Sequence, residues 1–302
     1  MENITNINWY PGHMAKTMKE IEENLRLVDL VVIILDSRIV RSSDNPEINK
    51  LIEKKNRIYV LNKKDLSEEA ETEKWISYYS SKGIPAIATN CELEDDVKKV
   101  LKLIEKQSVE IKEKAADRGR NKIIRIMIIG VPNSGKSSFI NRISKRKAAI
   151  VGNRPGVTRQ KQWIRLEENL ELLDTPGVLW PKINNNNAAL PLSFTGAIKD
   201  DILDLVEIAY ELIKWMMENK YEENLKSRYD IKDEEIKEIF NSDLEDNEKI
   251  IEVMNIIGRN KGCLIKGGEI DLMKVSKLVL TDFRSGKLGR ITVEKVDDRI
   301  IR

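Results

Sequence analysis

Between residues 130 and 138 the chain reads GVPNSGKSS, two glycines framing a turn, with a lysine and two serines directly behind the second. Gly130 and Gly135 allow a loop tight enough for successive backbone N–H groups to point inward at a β-phosphate, and the N-terminus of a following helix adds its partial positive charge. In such a cradle Lys136 reaches the β- and γ-phosphates and the Ser137 hydroxyl ligates Mg²⁺. Asn133, Ser134 and Ser138 belong to the same expected set of phosphate contacts. A bare glycine turn would show the same letters. What sets this one apart is the chemistry found at other points of the chain.

Asn62-Lys63-Lys64-Asp65 is the next such point. The Asp65 carboxylate can accept hydrogen bonds from guanine N1–H and the exocyclic amine, donors that adenine does not present in that arrangement. Asn62 would brace the loop against neighbouring backbone, and the stem of Lys63 would lie over the base. Alone, the tetrad also describes a solvated turn after a strand; beside a phosphate loop it specifies GTP and GDP. Thr89 and Asn90 stand where guanine-nucleotide proteins offer a backbone amide to guanine O6, and match that pattern loosely.

Downstream of the phosphate loop, Arg154-Pro155-Gly156-Val157-Thr158-Arg159 carries one threonine. Thr158 is expected to close over the γ-phosphate with its hydroxyl on Mg²⁺, which would order the loop with the triphosphate alone; a simple turn threonine is the alternative. Asp174-Thr175-Pro176-Gly177 follows. There Asp174 would hold a Mg²⁺ water and the Gly177 amide would face the γ-phosphate. Val178 occupies the place where many GTPases carry a glutamine that orients the attacking water. Valine neither donates nor accepts a hydrogen bond, so unaided hydrolysis is expected to be slow.

These residues need a scaffold that gathers them. Apolar, branched runs at Leu30–Leu35, Arg57–Leu61, Ile84–Ala88, Ile123–Ile129 and Leu170–Leu173 read as strands, the first of them buried on both faces of a parallel sheet. Asp36, Asn62, Thr89, Gly130 and Asp174 each follow such a run, and α/β proteins bind ligands at the carboxyl ends of their strands. Helical spacing at Met18, Ile21, Leu25 and Val28, a helix start at Ser42–Pro46, a helix through Trp75, Ile76 and Tyr79, and a charged helix from about Leu93 to Lys114 supply the covering layers. The expected class is α/β, a P-loop NTPase with a doubly wound, mostly parallel sheet over residues 1–182. Residues 183–302 are expected to form a small all-helical domain, entered through the asparagine-rich stretch 183–189 as linker. Its apolar stripe from Ile202 to Met217 faces a core that includes Trp215, Met216 and Met217, and shorter helices are expected at 234–240, 248–257 and 272–283.

Composition bounds the partners. The 302 residues are 41% hydrophobic, with two cysteines, Cys91 and Cys263, far apart and without metal-ligand spacing. Neither a membrane span nor a secretory or transit signal is legible, so a cytoplasmic protein without a membrane partner is expected. The net charge of +2 hides a bias: residues 118–165 hold 13 Lys and Arg and no acid, and residues 259–290 hold eight against three. More positive charge than one nucleotide needs points to a polyanion, and RNA fits. A solvated surface balanced by distant acids is the plain alternative. Lys261-Gly262, Lys266-Gly267-Gly268 and Arg284-Ser285-Gly286-Lys287 are loops suited to phosphate contacts; with no RNA-reading aromatic motif, recognition by shape and backbone is expected.

The order of the nucleotide motifs is rotated: the base-reading tetrad at 62–65 precedes the phosphate loop at 130–138, Thr158 and the 174–177 loop. This resembles the circularly permuted GTPases, and WYPGHMAK at 9–16 with DSRIVRSSDNP at 36–46 is similar to the ribosome biogenesis GTPase A family, Val40 departing from the proline expected there. The resemblance implies a switch that docks in its GTP form on precursors of the large ribosomal subunit, touching rRNA and ribosomal proteins, and leaves after particle-stimulated hydrolysis. It implies a water-placing part for His13, for which helix capping is the alternative. Asn133 resembles the asparagine of potassium-dependent GTPases, and K⁺ would then be a further cofactor; a turn residue is equally compatible. A monomer is expected. A GTP-gated adaptor for a protein partner, with no ribosomal role, is the competing function. Permutation also has a mechanical consequence, since the 174–177 loop becomes the direct tether of the C-terminal domain.

Overall fold

In the computed structural model, residues 12–116, 123–151, 163–167, 170–174, 179 and 186–297 are described. They divide into two units, one holding the residues through Leu179 together with 292–297, the other residues 186–291.

The first unit is built on a six-stranded sheet. Its strands are β1 (Leu30–Asp36), β2 (Asn56–Asn62), β3 (Ala86–Ala88), β4 (Ile124–Ile129), β5 (Trp163–Glu167) and β6 (Leu170–Asp174), in the order β3-β2-β1-β4-β6-β5. All neighbours pair in parallel except β5, which runs antiparallel to β6. The pleat sends alternate side chains to opposite faces, and both faces are dry. Val31, Ile33 and Leu35 of β1 join Tyr59, Leu61, Met127 and Ile129 in a core against α1 (Gly12–Leu25), α3 (Pro46–Leu51) and α4 (Glu69–Ser81). Leu30, Val32 and Ile34 join Ile58, Val60, Ile126 and Ile128 in a second core against α5 (Glu94–Ala116) and α6 (Lys136–Val151). An uninterrupted apolar run is therefore what β1 requires. Between β1 and α3 lies the short α2 (Val40–Ser43), whose Val40 is fully buried. Asn45 caps α3, its Oδ1 accepting from the amides of Glu47 and Ile48 at 3.0 and 3.3 Å, with Pro46 as first helical residue.

Parallel register brings the site to one edge. Asp36 pairs with Asn62, Leu61 with Ala88, Ile33 with Ile129 and Ile128 with Asp174. The loops after β1, β2, β3, β4 and β6 thus leave the sheet at the same carboxyl edge.

The second unit contains α7 (Asn186–Phe194), α8 (Leu205–Glu218), α9 (Glu222–Tyr229), α10 (Asp233–Asn241), α11 (Asp246–Lys261) and α12 (Leu272–Arg284). The α8 helix is its axis: Leu205, Ile208, Ala209, Leu212, Ile213 and Met216 are buried, and Asp204 caps it. Ile202, expected on that stripe, lies outside the helix and is exposed; Trp215 is half-buried and stacks on Tyr221 at 5.3 Å between ring centroids. Two elements depart from the sequence reading. Asn186–Ala189, placed in a linker, open α7, because Ala189, Leu192 and Phe194 bury against the unit. Residues 292–297, expected with the helical domain, run back to the sheet unit, where Val296 enters the core beside α4.

Candidate nucleotide site

The phosphate loop follows β4 and ends where α6 begins at Lys136. A Cβ on Gly130 would lie 2.5 Å from the Ile34 carbonyl oxygen and 2.8 Å from Ser134 Oγ, so the turn closes only without a side chain. Asn133 has φ 59° and Gly135 φ 97°, a left-handed pair that folds the amides inward. Ser134 is buried, and its hydroxyl oxygen has no protein partner. Lys136 is buried, whereas Ser137 and Ser138 on the first turn of α6 are exposed.

Asn62, the last residue of β2, joins the base-reading loop to the phosphate loop. Its Nδ2 donates to the Ser134 carbonyl at 2.8 Å, and its Oδ1 accepts from the Cys91 amide at 2.8 Å. A Cβ on Gly135 would collide with the same Nδ2. Residues 62, 91 and 134–135 are thus one interlocked unit. Ser37 adds two bonds to the Asn62 carbonyl, from its amide at 2.8 Å and its hydroxyl at 2.7 Å.

Lys63 stands at φ 61°, a backbone cost of order 1 kcal/mol for a residue with a Cβ. What holds it is an ion pair, Nζ to Asp36 Oδ2 at 2.9 Å. Asp36 is itself clamped by Arg38, which donates from Nε to Oδ1 at 3.0 Å and from Nη2 to Oδ2 at 2.8 Å. Burial pushes the Asp36 carboxyl up, but the charges of Arg38 and Lys63 overcome it and hold the group far below the ordinary carboxylate range. Lys64 pairs with Asp96 at 2.6 Å, and Asp65 at the tip is exposed.

The loop after β3 is tied down at two backbone amides. The Thr89 amide donates to the Leu61 carbonyl at 2.8 Å and the Asn90 amide to Asp96 Oδ2 at 2.9 Å. Both bonds fix this loop beside the tetrad. Asp96 is the residue that motif reading missed: burial raises its pKa, but Lys64 and the Asn90 amide bring it below the usual value. Its position in the first turn of α5 is the signal that sequence held.

His13 lies in α1 and Asp174 closes β6, their side chains outside the description; Thr158, Gly177 and Val178 lie outside the described residues. Asp174 is nonetheless in register with Ile128, two residues before Gly130, which puts its backbone at the phosphate side of the edge. Ser137 lies in the first turn of α6, directly after the β4 loop, and β6, which Asp174 closes, pairs with β4.

A phosphate loop, a guanine-reading tetrad braced to it by one asparagine, and an order in which the tetrad comes first define a circularly permuted GTPase. The comparisons agree. The family model described as "50S ribosome-binding GTPase" matches residues 125–256, beginning in the phosphate-loop strand. Ribosome biogenesis GTPase A of Bacillus cereus is 41% identical over 293 residues, covering 97% of this chain and 95% of that protein. The crystal structure of GNP-bound YlqF from Thermotoga maritima matches with a TM-score of 0.64 at 26% identity, covering 93% of this chain and 98% of that one. Its GDP-bound structure matches with a TM-score of 0.66. The chain belongs to the ribosome biogenesis GTPase A family.

Proposed function

We propose that the chain is a GTP-driven assembly factor for the large ribosomal subunit, docking on precursor particles in the GTP form and leaving after hydrolysis that the particle stimulates. The observation that carries the nucleotide half is the Asn62 side chain, which ties the base-reading loop to the phosphate loop through the Ser134 carbonyl at 2.8 Å and to the loop after β3 through the Cys91 amide at 2.8 Å. One guanine nucleotide then spans both, with Asp65 and the Lys63 stem on the base and Asn133, Ser134, Gly135, Lys136, Ser137 and Ser138 around the phosphates. Ser137, Thr158 and Asp174 would hold Mg²⁺, which supplies charge neutralisation on the β- and γ-phosphates; K⁺ beside Asn133 is part of the same proposal. The Gly177 amide and Thr158 would sense the γ-phosphate, and loss of that phosphate would release both loops at the tether to the helical unit.

Val178 gives the attacking water no hydrogen bond, and His13 is proposed to orient it once the particle is bound. The names of the relatives, the basic stretch at 118–165 and the exposed Lys266 support a ribosomal partner. Among the described residues no helix is long and apolar enough to cross a membrane, and the proposed place of action is the cytoplasm, as a monomer. The test is phosphate release with and without isolated large-subunit precursors. The native chain should accelerate by about 100-fold or more, the range a positioned acid or base supplies, and His13→Ala should not; no acceleration of the native chain would refute the assembly role. Asp65→Asn should exchange guanine for xanthine preference, measured by competition against labelled GDP.

A further inference from the structure

We infer that residues 292–297 are a strap that positions the base-reading loop, so that seating of this C-terminal segment and guanine-nucleotide binding are energetically coupled. The inference rests on the reading of Lys63 and Asp65 as the residues that meet the base.

The strap touches that loop by two routes. On one, the Thr292 hydroxyl oxygen, fully buried, accepts from the Glu68 amide at 2.9 Å, three residues beyond Asp65, and Lys295 pairs with the Glu68 carboxylate at 3.3 Å. On the other, the Val293 and Glu294 amides donate to the Arg38 carbonyl at 2.9 and 3.1 Å. Arg38 holds Asp36, and Asp36 holds Lys63, so the strap lies three contacts from a base-covering side chain. The strap is anchored rather than draped. The Glu294 carboxylate accepts from the Ser42 amide at 2.8 Å and from the Ser42 hydroxyl, its carbonyl accepts from Trp75 Nε1 at 3.0 Å, and Val296 is buried in the core. Because the chain crosses back into the sheet unit after Ile291, the helical unit has a covalent line to the base end of the site as well as to the phosphate end.

A coupling of this kind is reciprocal: what tightens the nucleotide must also tighten the strap. The experiment uses the full chain and reads amide hydrogen exchange at Val293 and Glu294 with and without saturating GDP. GDP should slow exchange there by about tenfold, a middle value for inter-site coupling; identical exchange in both states overturns the strap. In parallel, dissociation of a fluorescent GDP analogue should be about fivefold or more faster for Thr292→Val, which keeps the shape and removes the acceptor, and within about twofold of native for Thr292→Ser. A Thr292→Val chain that keeps its folding midpoint and releases GDP at the native rate also overturns it. Should Thr292→Val fold poorly, the exchange measurement on the native chain decides alone. The Asp65→Asn chain separates the two readings. If it gains xanthosine diphosphate binding while Val293 and Glu294 ignore that ligand, the strap fails and the base assignment stands; if it neither loses GDP nor gains xanthine, the base assignment fails.

Discussion

At the sheet edge and in the helical unit, buried or half-buried ion pairs sit beside exposed turns, and they serve opposite ends. At the sheet edge Asp36 holds Lys63, and Asp96 holds Lys64, leaving Asp65, the next residue, exposed at the tip of a fixed loop. In the helical unit the pairs close inward. Arg284, expected at an RNA-facing loop, donates to the Phe194 and Ser193 carbonyls and to both oxygens of Asp200, locking α12 to α7. Arg228 pairs with buried Asp282 at 2.9 Å, and Lys261 is engaged at the surface by exposed Asp230 at 2.6 Å. A run of basic residues is therefore not a binding surface until the partner of each cation is known. Lys266, in the same expected set, is exposed.

The contrast is sharpest between two asparagines. Asn62→Ala would leave the Ser134 carbonyl and Cys91 amide without their bridge, a loss of about 2–4 kcal/mol for two buried hydrogen bonds. GDP affinity, measured by calorimetry, should fall by roughly 30- to 1000-fold. Asn260 bridges the Tyr229 and Asp230 carbonyls, both at 3.0 Å. Asn260→Ala should lower the unfolding midpoint and leave GDP affinity unchanged; a matching loss of GDP affinity would erase the distinction.

Arg284→Met comes next in size. With the cation half-buried, the expected loss is about 1–3 kcal/mol of stability, read by chemical unfolding. Were Arg284 an RNA contact instead, stability would hold and RNA affinity would fall.

A smaller effect belongs to the sheet unit alone. Burial pushes the Asp44 carboxyl up from 3.8 to about 6, and its Oδ1 has no partner. The folded chain therefore takes up this proton more readily than the unfolded chain. The resulting stabilisation is complete below about pH 4 and is lost as pH rises through 6, at most roughly 1–3 kcal/mol. Asp36, held far below the ordinary range, works in the other sense and is lost only in stronger acid. Between pH 8 and 5 the sheet unit should gain stability, and Asp44→Asn should remove most of that slope; Glu294, raised by burial, leaves a remainder in the same direction. A melting temperature independent of pH over this range would contradict the assignment.

Lys266→Ala should change least: no shift in melting temperature, and a reduction of about one in the salt dependence of RNA binding. An unchanged salt slope would remove Lys266 from the proposed RNA surface.

Much of this was legible beforehand because motif chemistry is local. The contiguous residues of GVPNSGKSS and the tetrad 62–65 carry their own geometry, and a fully apolar β1 announces a sheet covered on both sides. The bracing part of Asn62 was readable for the same reason, although which backbone it braces was not. The helix α9 escaped notice because Leu225 and Tyr229 alone mark its buried face among polar residues. Four asparagines concealed the start of α7.

The sequence by itself determined the ligand class, the rotated order of the motifs and the strands that deliver them, since each depends on residues adjacent in the chain. Tertiary structure decided which donors were already engaged: the Thr89 and Asn90 amides bonded to Leu61 and Asp96, Arg284 bonded to Asp200 and two α7 carbonyls, and residues 292–297 turned back onto Arg38 and Ser42. The Ser42–Glu294 bond joins residues 252 apart in sequence. A hydrogen bond is satisfied by whatever the fold brings within about 3 Å, and no local pattern of residue types records which distant segment that will be.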